Sequence, residues 1–486
     1  MTDHNTHATI SVVASPHRDQ PTSLTSEPIT GMKQVQGSCA QSGFDSENEA
    51  KEASVPSLDL AKHSSSLPTE GRATTTITQA PAYDGYARDL PSGILVIPDE
   101  KLDLRPEREI IKTILTHRPV TSEKNIWVFW DRGWGAMRPW TQRNVIAWVR
   151  RFEPLGWTVR VLDMILGSIN NVSCFLDMSV FPSAFQEMEM PQAMSDLVRL
   201  PLMYEFGGIW LDVGTMVFCN LDDIWDVLED PSTPYTIGGY ITNLRPKELH
   251  LLNTAVLFGR KGDAFLKRWQ EAFMTLWEGR TSSKDIHKDP LVSWLGLYNE
   301  TFDDYGKDQA SQRAFTDYLG VHLVFERLML LEDPSDGFSG REYWEKKTFK
   351  LDMLSDQAYA QEVTSYDGQR LYELFASQRQ GLEPSERNQE AQALANYLVA
   401  NTTTLKLFSG LAAHQVWLPA IWNRPENANA DTKEGSFIAW LRYAQVHLQP
   451  TRKIVPLPTE KIPDDYVVRA GACERKTLTL VRRVLK

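Results

Sequence analysis

Between residues 100 and 375 the apolar positions of this chain alternate between short unbroken runs and stripes of helical period. Asn125 to Trp130 reads as a buried strand, Trp140 to Phe152 as an amphipathic helix, and Trp157 to Leu162 as a second strand entered after Gly156. A β-α-β unit of this length, roughly 35 residues, suits a right-handed crossover in a parallel sheet. Ser195 is placed to cap a helix whose apolar stripe is Leu200, Met203 and Tyr204. Pro201 is expected to kink it and Gly207-Gly208 to end it. Ile209 to Leu211 then forms a buried strand that delivers Asp212 to the rim of the sheet, where open α/β folds place their ligands. Thr254 to Phe258 is a further strand, and Asp263 to Trp277 a helix with Phe265, Trp269, Phe273 and Leu276 on one face. Pro290 to Asn299, Gln309 to Leu319 and Gly368 to Phe375 read as helices. Residues 376–395 are polar and read as a loop or insertion, and 396–486 as a helical C-terminal extension with a basic tail.

Composition extends this picture at both ends. The chain has 486 residues, 42% of them hydrophobic, and 15 Trp, enough for a large core between residues 100 and 375 and beyond. Residues 1–85 are instead rich in Ser, Thr and Gln with few aromatics, so a disordered tail is expected there. No apolar run approaches about 18 residues and the N-terminus lacks the basic-then-apolar pattern of a signal peptide, which points to a cytosolic protein without a membrane partner. Cys39, Cys174, Cys219 and Cys473 lack C-x-x-C spacing, and His117, His250, His287, His322 and His414 lack metal-ligand spacing, so no metal is assigned. The net charge of −12 argues against coating DNA. Arg469, Arg475, Lys476, Arg482, Arg483 and Lys486 nevertheless make the last stretch basic. It reads as a terminal element with one wet face, or alternatively as a phosphate-contacting tail with tRNA as the anion.

Three groups of residues carry candidate chemistry. Asp212, a lone carboxylate at the end of a buried strand, is costly there unless it meets a partner or ligand, and is taken as catalytic over a turn cap. Asp196 and Arg199 sit three apart on one helical face and are candidate substrate-binding residues or a structural ion pair. Asp222, Asp223 and Asp226 form a second acidic cluster, and carboxylates so close raise one another's pKa unless a cation or amine lies between them. They are taken as catalytic, against the plainer reading of acids at a helix N-terminus. Trp130 and Trp134, in a glycine-bearing loop after the first strand, are candidates to stack on a substrate, although most tryptophans there should be core. Glu326-Arg327 is read as a surface ion pair in preference to a late catalytic acid.

The order S-D-x-x-R (Ser195 to Arg199), Y-x-x-G-G (Tyr204 to Gly208) and W-L-D (Trp210 to Asp212) resembles the capsular-polysaccharide-synthesis and D-x-D sugar-binding-region glycosyltransferases. Ile126 to Trp130 with Asn144 to Trp148, Arg260 to Trp269, and Glu332-Asp-Pro to Tyr343-Trp344 extend the likeness over roughly residues 100 to 375. The resemblance implies a GT-A type fold, a mixed α/β sheet flanked by helices. One departure is plain: Asp212-Val213-Gly214 replaces D-x-D, so the second carboxylate that would help hold a divalent cation is absent. Asp222-Asp-Ile-Trp-Asp226 also resembles the Asp-Asp-x-x-Glu motif of fungal arginine-containing cyclodipeptide synthases, which share the fold. The reading taken first is therefore a synthase that joins arginine from Arg-tRNA to a second amino acid from aminoacyl-tRNA, without cofactor. The alternative is a nucleotide-sugar-dependent glycosyltransferase with a divalent metal such as Mn or Mg. A dead scaffold is the third.

Overall fold

The computed structural model describes residues 85–475 and 478, except 88–89, 189, 245–248, 299–308, 380–384 and 409–415. The expected N-terminal tail and the last basic residues, Lys476 and Arg482 onward, lie outside the described residues.

The elements that carry the site are β1 (Asn125–Phe129), α1 (Pro139–Phe152), β2 (Thr158–Leu162), α2 (Pro191–Phe206), β3 (Gly208–Leu211), β4 (Thr215–Val217), α3 (Asp222–Glu229), β5 (Ile237–Thr242), β6 (Leu251–Gly259), α4 (Ala264–Trp277), α5 (Gly320–Met329), β7 (Thr348–Asp352) and β8 (Thr404–Lys406). Six strands form one mixed sheet in the order β7-β5-β6-β3-β1-β2. All run parallel except β6, which is antiparallel to both of its neighbours. Period-2 alternation explains why both faces are covered. Trp127 and Phe129 of β1, Trp210 of β3 and Leu257 of β6 face one apolar cluster with α2, α4 and α5. Ile126 and Val128, Ile209 and Leu211, and Val256 and Phe258 face the other, with α1 and α3. This is the mixed α/β sheet flanked by helices that the resemblance implied.

Several boundaries differ from expectation for physical reasons. Helix α2 starts at Pro191, whose fixed φ suits a first helical position, so Ser195 lies inside the helix and caps nothing. Asp263 caps α4 by accepting from the Phe265 and Leu266 amides. Of the helix expected from Pro290 to Asn299, the described residues hold only a 3-10 turn at Ser293–Leu295. The polar stretch 376–395 is not wholly loop. From Glu386 it is the first part of a helix reaching Asn401, started by Ser385, whose side chain accepts from the Asn388 amide. Beyond it, helices Leu418–Trp422 and Phe437–His447 join a third apolar cluster, which also takes in Met216 and Leu405 of the β4-β8 ribbon and the adjoining Phe218. Buried Asp431 ties these helices to α1 through ion pairs with Arg143 and Arg442. The C-terminal part is thereby fixed against the sheet, and β8 comes to lie at the sheet edge where the site is.

Candidate active site

Strand β3 ends at Leu211, and the next residues make a tight turn in which the Thr215 amide bonds the Asp212 carbonyl at 3.1 Å. The turn is held from both sides. The Asp212 amide donates to Ala255 O at 2.9 Å, and buried Asn144 of α1 donates to Val213 O at 2.7 Å. After it, β4 pairs antiparallel with β8, placing Lys406 opposite Thr215. Sequence distance therefore disappears: Lys406 Nζ lies 2.8 Å from Asp212 Oδ2.

Asp212 is the centre of a charge network. Trp210 Nε1 donates to its Oδ1 at 2.9 Å. Arg199 Nη2 lies 3.4 Å from Asp212 Oδ1 and 3.0 Å from Asp196 Oδ1, while its Nη1 donates to Thr254 O at 2.7 Å. The guanidinium is 4.8 Å from the Trp210 ring centroid, so it is clamped by stacking as well as by hydrogen bonds. Burial alone raises the Asp212 pKa, but the Lys406 and Arg199 charges outweigh it and hold the carboxyl below its ordinary range. For Asp196 burial wins over Arg199, and with repulsion from Asp212 its pKa rises to about 6. Neighbouring carboxylates are thus driven apart by their surroundings.

These groups line a cavity of about 480 Å³ with a largely apolar remainder that includes Phe315, Met353, Phe408 and Trp417. Trp130 and His322 also line it, and among the described residues neither Trp130 Nε1 nor His322 Nδ1 has a hydrogen-bond partner. Buried polar atoms of this kind are normally satisfied, so both suit bonds to a ligand. Burial pushes His322 down to about 3, which leaves the imidazole neutral.

Of the residues singled out from sequence, the structure brings Asp212, Asp196, Arg199 and Trp130 together. Trp134 is buried in the apolar cluster beside α1 and is a packing residue. The acidic cluster does not converge on the cavity. Asp222 accepts from Trp157 Nε1 at 2.8 Å and Lys124 Nζ at 3.0 Å, and both donors lie just before a parallel strand, at the edge of the sheet opposite Asp212. Asp223 and Asp226 continue along α3, where burial and the neighbouring carboxylates raise the Asp223 pKa. Glu326 and Arg327 are no surface pair. Glu326 is buried and accepts from the Tyr298 hydroxyl, while Arg327 donates to the carbonyls of Leu291, Gly471, Ala472 and Glu474. Lys406 escaped sequence reading altogether. Its only trace is a lysine closing the run Thr402 to Leu405, and its meaning depends on a strand pairing nearly 190 residues long.

The capsular polysaccharide synthesis protein family matches residues 107–289, which include the Asp196 to Asp212 segment. Comparison with curated fungal proteins extends the match over most of the chain. It is 38% identical to the O-glycosyltransferase braB of Annulohypoxylon truncatum over 81% of this chain and 96% of that protein. The chain belongs to this family of fungal glycosyltransferases. Glycosyltransferase afumC of Aspergillus fumigatus is 37% identical over 78% of this chain and 99% of its own, and O-glycosyltransferase PaGT of Phomopsis amygdali 37% over 76% and 92%. Among solved structures, PaToxG glycosyltransferase shows 12% identity over 35% of this chain with a TM-score of 0.22, too slight to carry an argument.

Membership corrects the first expectation. The cyclodipeptide synthase reading, with Arg-tRNA and a second aminoacyl-tRNA as partners, is overturned by full-length relatives named as glycosyltransferases. The Asp222 to Asp226 motif on which it stood belongs to a helix away from the cavity. No helix among the described residues is long and apolar enough to cross a membrane.

The divalent ion that the fold family implies can be tested against the residues present. At the position of the second D-x-D carboxylate stands Gly214, where an added Cβ would lie 3.0 Å from Leu407 O and 3.5 Å from Lys406 Nζ. The remaining carboxylate, Asp212, already holds an ammonium. Asp196 is likewise paired with Arg199, and among the described residues no group of three His, Cys, Asp or Glu donors gathers at the cavity, so the residues present do not fit a divalent metal site.

Proposed function

We propose that the protein transfers a sugar from a nucleotide sugar to a hydroxyl of a small, largely apolar acceptor, with both substrates meeting in the cavity at Asp212. The observation that carries this reading is the pairing of a buried carboxylate and guanidinium network with an apolar cavity at the C-terminal ends of parallel strands. Its relatives' names supply the reaction class. In transfer the bond between the sugar anomeric carbon and the phosphate oxygen breaks, its electron pair leaving on the nucleoside diphosphate. The acceptor oxygen bonds that carbon and its proton passes to solvent.

Each residue has a role suited to its chemistry. Asp196, an acceptor beside the guanidinium, holds sugar hydroxyls. Trp130 offers an indole face to a base and an N–H to a polar group. Asp212 orients Lys406 and Arg199 at the leaving group. The apolar wall around Phe315, Phe408 and Trp417 excludes water and receives the acceptor skeleton.

The test is incubation of purified protein with a panel of nucleotide sugars and hydroxylated apolar compounds, followed by mass spectrometry for hexose or pentose adducts. A donor-dependent glycoside supports the reading. Absence of both transfer and slow donor hydrolysis across the panel overturns it.

A further inference from the structure

The cavity holds a cation of its own. Lys406 is built into the wall through its backbone: its amide bonds Gln357 O at 3.1 Å, its carbonyl accepts from Gln361 Nε2, and the next amide, of Leu407, bonds Gly214 O at 2.8 Å. The side chain is only 12% exposed, so the ammonium is placed by packing as well as by charge. It lies against Asp212 and near the point where a side chain at 214 would begin. Absence of the second carboxylate and presence of Lys406 are therefore one arrangement. A carboxylate at 214 would crowd Leu407 O and face Lys406, whereas glycine leaves the ammonium beside the turn.

We propose that Lys406 is the positive charge that stabilises the departing nucleoside diphosphate, so that donor binding and transfer need no divalent metal. This deepens the proposed function and rests on its nucleotide-sugar donor. An ammonium carries three donors. Among the described residues Asp212 is its hydrogen-bond partner, which leaves donors for phosphate oxygens as negative charge collects there. Arg199, 3.4 Å from the other oxygen of the same carboxylate, adds a second fixed cation. Asp212 is then the anchor that aims both charges. Positioned dipoles and charges act most strongly where charge develops during reaction, and a preset ammonium needs no reorganisation to do so.

The experiment is calorimetric titration of the full chain with uridine diphosphate and, separately, guanosine diphosphate, each in excess chelator and in excess Mn²⁺. For the diphosphate that binds, wild-type affinity should agree within about threefold between the two conditions, because a lost metal ligand would cost far more. Lys406→Met should weaken metal-free binding by about 10- to 100-fold, the worth of one charge-assisted hydrogen bond, and Lys406→Arg should recover most of it. Thermal melting of both variants reports whether they are folded, and the wild-type comparison stands even if Lys406→Met is not. Binding at least tenfold tighter with Mn²⁺ than with chelator overturns the proposal and leaves the glycosyltransferase reading intact. So does unchanged metal-free binding by folded Lys406→Met. If neither diphosphate binds under either condition, the donor reading falls and this proposal falls with it.

Discussion

Two groups of aspartates lie at opposite edges of one sheet, and sequence alone made them look alike. Asp222, Asp223 and Asp226 are close in the chain, but they sit on a helix where Asp222 is satisfied by Trp157 and Lys124, and they border no cavity described here. Asp196 and Asp212 are sixteen residues apart and meet through one guanidinium at the C-terminal ends of parallel strands. Local acid density tells little about function. What marks a site is the edge of the sheet an acid is delivered to, and whether its partners leave room for a ligand.

The comparison is broken most easily at Asp212. Asp212→Asn keeps shape but removes the charge that aims Lys406 and Arg199, so sugar transfer should fall about 10²- to 10³-fold, with a lowered melting temperature because both buried cations lose their partner. A steady-state assay decides this, and a variant with near wild-type activity would remove Asp212 from the machinery.

Two tryptophans of one loop sharpen it next. Trp134→Ala should cost about 3–5 kcal/mol of stability in chemical denaturation, as deletion of a buried aromatic does. Trp130→Ala, at a half-buried position, should cost less stability than Trp134→Ala but weaken nucleoside diphosphate binding by about 1–3 kcal/mol, the usual worth of base stacking. Reversal of these two outcomes would mean that the cavity has been assigned to the wrong side of the loop.

The pH dependence separates the aspartates within the site. With its pKa raised from 3.8 to about 6, Asp196 is ionised only above that point, so transfer should decline as pH falls through about 6. A raised carboxyl favours the folded state in acid, and this contribution is lost as pH rises through about 6. The lowered pKa of Asp212 works the other way, its contribution being present above 3.8 and lost only as pH falls below that. The decline near 6 should therefore appear without unfolding, and Asp196→Asn should flatten that limb of the profile. An unchanged limb in this variant would assign it to another group.

The opposite edge should show the smallest effects. Asp222→Asn should cost about 1 kcal/mol through its bonds to Trp157 and Lys124 and leave transfer rates unchanged. Asp226→Asn should alter stability by less than about 0.5 kcal/mol. Denaturant titration beside the activity assay checks both.

Much of the sheet was legible because apolar runs are direct consequences of burial. β1, α1, β2 and α4 fall within a residue or two of their expected bounds, and Asp212 stands at the strand end where it was expected. β5 and β7 were missed. β5 contains Gly238-Gly239, which reads as a turn, yet an added Cβ at Gly238 would lie 2.6 Å from Phe349 O, so glycine is there to admit the neighbouring strand. β7 includes a buried lysine, Lys350, that interrupts its apolar run. The helix from Glu386 was hidden by a polar composition in which only Ala391, Leu394, Ala395, Leu398 and Val399 turn inward. At the site, side chains that follow a motif could be found, whereas Lys406 and His322 arrive through long-range packing that no local pattern records.

The most direct measurement is nucleoside diphosphate release from each nucleotide sugar of a panel, in the presence of acceptor, by wild type, Asp212→Asn and Asp222→Asn side by side. Wild type and Asp222→Asn should turn over the same donor at similar rates, and Asp212→Asn should be slower by at least about 10²-fold. Equal loss in Asp222→Asn, or release that Asp212→Asn leaves untouched, would contradict the assignment of the active site to the Asp212 edge.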